Sequence, residues 1–168
     1  RGRLLHAAFV QAAELHGGRP DFPTREVALL MLDSLLEHRW GAVAEIDGRV
    51  VGSSFVERGD RIAGIGPITV DPDIQETGVG RHLMQAGIEH GREREGIRLV
   101  QDTFNAVSMS LYASLGFEVK EPLVVVEDVP RADSPGEVEV RPLSAGDVAA
   151  CAALCERVHG ITRSSEVR

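Results

Sequence analysis

Apolar positions at the start of the chain recur with a period near 3.6. Leu5, Ala8, Phe9, Ala12 and Leu15 follow that spacing between Leu4 and His16, which predicts an amphipathic helix stopped by Gly17-Gly18. Thr24 has the chemistry of an N-cap, and Val27, Leu30, Met31, Leu35 and Leu36 predict a second helix from Arg25 to about His38. The pattern then shortens to β-type runs. Gly41 to Ile46 and Arg49 to Glu57 flank the turn pair Asp47-Gly48 and predict an antiparallel hairpin.

A third strand is expected over about Ile62 to Val70, with Gly64, Gly66 and Pro67 marking a bulge or bend. After Asp71-Pro72 a loop ends in Gly78-Val79-Gly80, and a helix is expected from there to about Glu95, stopped by Gly96. Leu99 to Thr103 predicts a strand, Asn105 to Leu115 a short helix, and Phe117 to Glu127 a final strand or bent strand pair. The element order is ααβββαβαβ, an α/β (α+β) arrangement whose sheet opens on an antiparallel hairpin.

Asp128 to Gly136 is rich in Pro, Asp and Ser and predicts a linker. Beyond it, Glu137 to Leu143 predicts a strand and Asp147 to His159 a helix. The ending Val158-His159-Gly160 echoes Leu15-His16-Gly17. A duplicated unit accounts for the echo, and so does chance similarity between two amphipathic helices. Under duplication, residues 1–127 form a first domain without its opening strand, 128–136 the linker, and 137–168 the start of a second domain. The sheet edge left open could pair with Glu137 to Leu143 of this or another chain, so a homodimer is one way to cover it.

Composition narrows the functional classes. The 168 residues are 43% hydrophobic, enough for one core and a remainder. A formal net charge of −8 argues against binding nucleic acid through phosphate contacts. No apolar run approaches the roughly 20 residues that span a bilayer, so no membrane role is expected. Cys151 and Cys155, four apart in an apolar stretch, read as small packed hydrophobes of a reduced, intracellular and cytoplasmic chain. His6, His16, His38, His82 and His90 lack metal-ligand spacing, so no metal is expected.

The chemistry concentrates in two places. In the turn from Ile68 to Arg81, a helix start and converging backbone N–H groups can hold a pyrophosphate without many basic side chains. Gly78 relieves the turn, Gly80 lets phosphates approach, and Arg81 can add one charged contact. A Gly-x-Gly turn is also common in bland loops, and dinucleotide binders use one too, although the preceding hairpin disfavours their parallel sheets. Asn105 and Tyr112, two helical turns apart, can face one ligand. Each has an ordinary reading as well, Asn105 as an N-cap and Tyr112 as a packed aromatic.

Together, Gln75-x-x-Gly78-x-Gly80 and the run from Asn105 through Tyr112 to Gly116-Phe117 resemble the GNAT acetyltransferase superfamily over about Leu4 to Glu127. The strand and helix that follow resemble the start of a second copy in a tandem-GNAT protein. The resemblance implies a mixed, mostly antiparallel splayed sheet flanked by helices, and acetyl-CoA as cosubstrate. The backbone of Ile68, Thr69 and Val70 would pair with the pantetheine arm, while Glu76, Thr77, Gly78, Val79, Gly80 and Arg81 surround the pyrophosphate. Asn105 would contact the cofactor, and Tyr112 would protonate the leaving thiolate. The implied reaction is direct acetyl transfer to a primary amine on a small molecule or peptide; the alternative is a non-catalytic acyl-CoA-binding or scaffolding domain. Relatives often carry a glutamate on the bent strand, whereas none stands here between Ile62 and Val70. Glu45, Glu57 and Asp102 lie near strand ends and read equally as surface acids.

Overall fold

The computed structural model of the chain describes residues 3–17, 19–57, 59, 61–124, 126 and 139–161. Helices α1 (Arg3–His16) and α2 (Arg25–His38) come first, followed by strands β1 (Trp40–Ile46), β2 (Arg49–Glu57) and β3 (Ile62–Val70). Then come α3 (Val79–Gly91), β4 (Gly96–Arg98), α4 (Ala106–Ser114) and α5 (Val148–His159). The strands form one sheet in the order β1-β2-β3-β4, antiparallel through β3 and parallel between β3 and β4. This is the mixed, mostly antiparallel sheet that the resemblance implies, and it contains the hairpin that the pattern predicts. Asp47 and Gly48 both have positive φ, 50° and 75°, as a two-residue turn between twisted strands requires.

The apolar stripe of α3 crosses all four strands. Met84 and Val56 are fully buried in the main core with Ala63 and Ile65, and Leu83 is 3% exposed. Each large apolar side chain so covered contributes about 1.5–3 kcal/mol. Three glycines let helix and sheet meet this closely. A Cβ on Gly52 would lie 2.8 Å from Leu83 Cδ1 and 3.0 Å from the Thr69 carbonyl oxygen. One on Gly87 would be 3.2 Å from Ile65 Cδ1, and one on Gly91 3.1 Å from Ala63 Cβ. At the β1 edge, Trp40 stacks on His90 of α3 at 4.1 Å and 8° between planes.

Alternate β2 residues Val51 and Phe55 are buried towards the other side, where α1 packs on β3 and α2 on β1. Leu5, Ala28 and Phe22 make a smaller core there, with Phe9 edge-on to Phe22 at 4.7 Å.

The later elements depart from the pattern-based expectation. Helix α3 ends at Gly91 instead of Glu95, because Arg92 to Glu95 have no apolar stripe to place on the sheet and instead form a turn closed by Arg94 N–H on the Gly91 carbonyl. The strand expected at Leu99 to Thr103 lies earlier, at Gly96–Arg98, where Ile62–Gly64 supply a parallel partner. Among the described residues of 117–126 no strand forms. Strand β4 is itself only three residues long, and Val119, Val124 and Val126 stand about 80% exposed. Residues 139–143 are likewise irregular, while 137, 138 and the expected linker lie outside the described residues. Helix α5 forms as expected and buries no residue; Arg61 ties it on through Glu156, at 3.8 Å, and the Gly160 carbonyl. No helix among the described residues is long and apolar enough to cross a membrane.

The contact at Gly52 leads to a stability test. Gly52→Ala is expected to cost about 1–3 kcal/mol by overpacking. Gly80→Ala, whose Cβ would stand 3.5 Å from Leu111 Cδ2, is expected to stay within about 0.5 kcal/mol or gain from helix propensity. Urea unfolding midpoints at unchanged slope measure both, and equal effects would refute the packing account.

Candidate functional site

Strand β3 is held by β4 only at its beginning. Ile62, Ala63 and Gly64 pair with Gly96, Ile97 and Arg98, and then a bulge intervenes. Ser54 pairs with Ile68 and Val56 with Ile65, so Gly66 and Pro67 together oppose Phe55. Gly66 takes φ 142°, a region that side chains resist. From there Ile68, Thr69 and Val70 pair with β2 alone, leaving the side towards β4 without a strand partner among the described residues. Strand β4 stops at Arg98, opposite Gly64, and the opening beyond it has the end of β3 as one wall. Thr69 is 2% exposed and its hydroxyl lies 2.8 Å from that of Ser53, which anchors this wall to β2.

The next turn positions the start of α3 at the mouth of the opening. Asp71 is ion-paired with Arg49 and accepts from the Asp73 N–H at 3.2 Å, and the Thr77 hydroxyl donates to the Ile74 carbonyl at 2.7 Å. Glu76 and Gly78 both take positive φ, 66° and 93°. Gly78 is the N-cap and supplies no side-chain bond, unlike Thr24 of α2 and Asn105 of α4. The N–H groups of Val79, Gly80 and Arg81 therefore head an uncapped helix, with its partial positive charge directed at the turn. Gly80 faces Val70 and Leu111, which joins the helix start to β3 and α4. The Arg81 guanidinium donates to Ser114 Oγ at 2.8 Å and braces α3 to α4.

On α4, Asn105 is the N-cap: its Oδ1 accepts from the Ser108 N–H at 3.0 Å, so the side-chain amide nitrogen is the part left to meet a ligand. Tyr112 packs against the main core and meets Phe117 edge-on at 6.2 Å. Burial pushes its phenol above the usual tyrosine range, and the Ser108 hydroxyl pulls it partly back. The group thus stays protonated at neutral pH and has a proton to give. Both ordinary readings of these residues hold, and each leaves one polar atom for chemistry.

Among the acids, Glu57 is paired with Arg39 at 2.9 Å, while Glu45 is exposed on β1. Asp102 faces an acid that sequence reasoning passed over. Asp21, in the loop between α1 and α2, has its carboxyl raised first by partial burial and then by the charge of Asp102. Its only signal in the chain is an acid set among Pro20, Phe22 and Pro23, with Phe22 buried beside it.

A model described as the Acetyltransferase (GNAT) family matches residues 7–117, from α1 through the end of α4. A mycothiol acetyltransferase of Thermomonospora curvata is 37% identical over 78 residues, 45% of this chain and 26% of that relative. Another from Propionibacterium freudenreichii is 36% identical over 88 residues, 51% of this chain and 25% of the relative. The chain thus spans about a quarter of the length of these curated relatives. Among solved structures, aminoglycoside N-acetyltransferase AAC(6')-Iy in complex with CoA superposes with TM-score 0.54 at 21% identity, covering 74% of this chain and 88% of that one. A mutant protein from Bacillus halodurans gives TM-score 0.61 at 18% identity, covering 76% and 91%. These two likenesses carry the fold.

Asp21 supplies a pH test. A carboxyl raised in the folded chain favours folding at low pH, and that contribution disappears as pH rises through the folded value. Asp21→Asn is therefore expected to raise Tm at pH 7 by about 1 °C, a small shift because solvent screens the group. The advantage should vanish near pH 3.5, below the ordinary aspartate value of about 3.9. Thermal melts across that range check it, and a gain independent of pH would remove the electrostatic explanation.

Proposed function

The chain belongs to the acetyltransferase (GNAT) family, and from that premise we propose that it binds acetyl-CoA at the splayed end of β3 and transfers the acetyl group directly to a primary amine. The observation that carries this reading is the uncapped start of α3 at the mouth of the splay, braced to the helix that bears Tyr112. In this reading the free side of Ile68, Thr69 and Val70 accepts the pantetheine arm as a strand would. The turn Glu76-Thr77-Gly78 and the N–H groups of Val79, Gly80 and Arg81 take the pyrophosphate, and the Asn105 amide meets the cofactor from α4.

Holding the amine nitrogen against the thioester carbon makes attack effectively unimolecular. As the N–C bond forms, the carbonyl becomes an oxyanion, stabilised by backbone donation near Val70. Collapse breaks the C–S bond, and Tyr112 gives its proton to the departing thiolate. The amine's proton leaves to solvent and returns to the phenolate at the end of the cycle. The relatives' names, mycothiol and aminoglycoside acetyltransferases, favour a small-molecule acceptor over a peptide. The acidic balance suits a cationic one. A cytoplasmic location fits such a substrate. Residues 139–161, with Leu154 and Val158 exposed on α5, fit the opening of a second unit, and the open β1 edge fits either that unit or a second copy.

A non-catalytic acyl-CoA-binding domain is the second reading. It is favoured by the lack of a carboxylate on β3 and by the engagement of Glu57 with Arg39.

Calorimetric titration with acetyl-CoA separates these readings when joined to turnover with small amines. Catalysis is expected, with Tyr112→Phe lowering kcat by about 10²-fold and leaving KM for acetyl-CoA unchanged. Gly80→Glu, which directs a carboxylate between Val70 and Leu111, is expected to abolish binding in a protein that keeps its circular dichroism. Binding without turnover of any amine would favour the second reading, and full activity of Tyr112→Phe would remove the tyrosine's role.

A further inference from the structure

The bulge that starts the splay is held from outside the sheet. Arg39, immediately after α2 and before β1, donates from one guanidinium nitrogen to the Gly66 carbonyl at 2.9 Å. Its other terminal nitrogen donates to Glu57 Oε2 at 2.9 Å. Its backbone N–H closes α2 on the Leu35 carbonyl, so the side chain grows from a fixed point. Arginine and carboxylate are each about two-thirds covered, at 31% side-chain exposure. In that setting a charge-assisted bond to a carbonyl is stronger than on an open surface.

The position of this clamp gives it a consequence. Opposite Phe55 the bulge presents the Gly66 carbonyl to the guanidinium, which donates to it there. Two residues earlier, at Gly64, the pairing with β4 ends; two residues later, at Ile68, the pairing with β2 resumes along an edge that β4 no longer covers. Glu57 stands opposite Gly64 in the β2–β3 register, so the ion pair reaches the strand on which the bulge leans. Glycine at φ 142° cannot hold that geometry by its own preference, since it visits many others as readily.

We infer that Arg39 is a positioning residue for the cofactor: it fixes the Gly66 bulge and thereby aims the edge of Ile68 to Val70 along the pantetheine arm. This rests on the proposed acetyl-CoA site, and Arg39 itself touches neither cofactor nor reacting atoms in this role. The ion pair with Glu57 orients the guanidinium, while the bond to the carbonyl does the aiming. Lysine carries its three donors on one atom and lacks the rigid planar fork that meets the two acceptors from separate nitrogens.

Steady-state kinetics on folded variants test the inference. Arg39→Met is expected to raise KM for acetyl-CoA by about tenfold, with kcat and the amine KM within about twofold of wild type. Arg39→Lys should fall between them, and Glu57→Gln, which leaves the carbonyl bond in place, should change KM for acetyl-CoA by less than about twofold. Hydrogen exchange should quicken at the amides of Ile65, Gly66, Ile68, Thr69 and Val70 in Arg39→Met and stay unchanged at 40–46. Unchanged cofactor KM in Arg39→Met, or an equal loss for cofactor and amine, would overturn the inference. So would an effect of Glu57→Gln as large as that of Arg39→Met. Failure of wild-type protein to bind acetyl-CoA in the calorimeter would instead overturn the proposed function and the cofactor role with it.

Discussion

With Gly52, Gly87 and Gly91 leaving no Cβ between α3 and the strands, the helix can lie on the sheet in essentially one way. A slide or tilt by one methyl group drives Leu83 or Ile65 into backbone or neighbouring side chains, and a packed interior has little room to absorb that. The start of α3 is thus fixed where β3 parts from β4. Every polar feature of the opening is measured from that point, including the turn that precedes it and the α4 brace from Arg81 to Ser114.

Such an arrangement lets an acidic chain present an attractive surface to an anion. The charge that matters is local and comes from oriented peptide dipoles, while the net −8 is spread over the surface and screened beyond about one Debye length of roughly 8–10 Å. Much of the charged chemistry near the opening is engaged within the protein. Arg49 holds Asp71, Arg39 holds Glu57, and Arg81 reaches Ser114. Backbone groups and neutral side chains remain to meet a ligand, and this is consistent with a phenol kept protonated by burial.

Much of this was legible in the chain because it rests on local patterns. The two leading helices, the Asp47-Gly48 hairpin, the bent third strand and the turn into α3 each follow from residues close in sequence, and the structure has them at nearly the expected bounds. Elements that exist through distant partners were not legible. The parallel strand sits at Gly96–Arg98 because Ile62–Gly64 stand opposite, whereas the better β-formers that follow have no ladder to join. Val119, Val124 and Val126 meet the same limit. Of the candidate site, the glycine turn and the Asn105–Tyr112 spacing could be read directly. Arg39 and Asp21 could not, since their partners lie 27 residues away at Gly66 and far along the chain at Asp102. Neither position interrupts a periodicity.

Glu76 leaves a different mark on the molecule. At φ 66° it has a positive φ that costs a residue with a Cβ about 1–2 kcal/mol, two residues before Gly78, whose positive φ bears no such cost. A glycine at position 76 would relieve that strain and at the same time enlarge the set of shapes open to the turn. Heat tolerance and the definition of the turn would then move in opposite directions at a single residue. Variants chosen for thermal stability alone would tend to lose the preformed turn while keeping the fold intact.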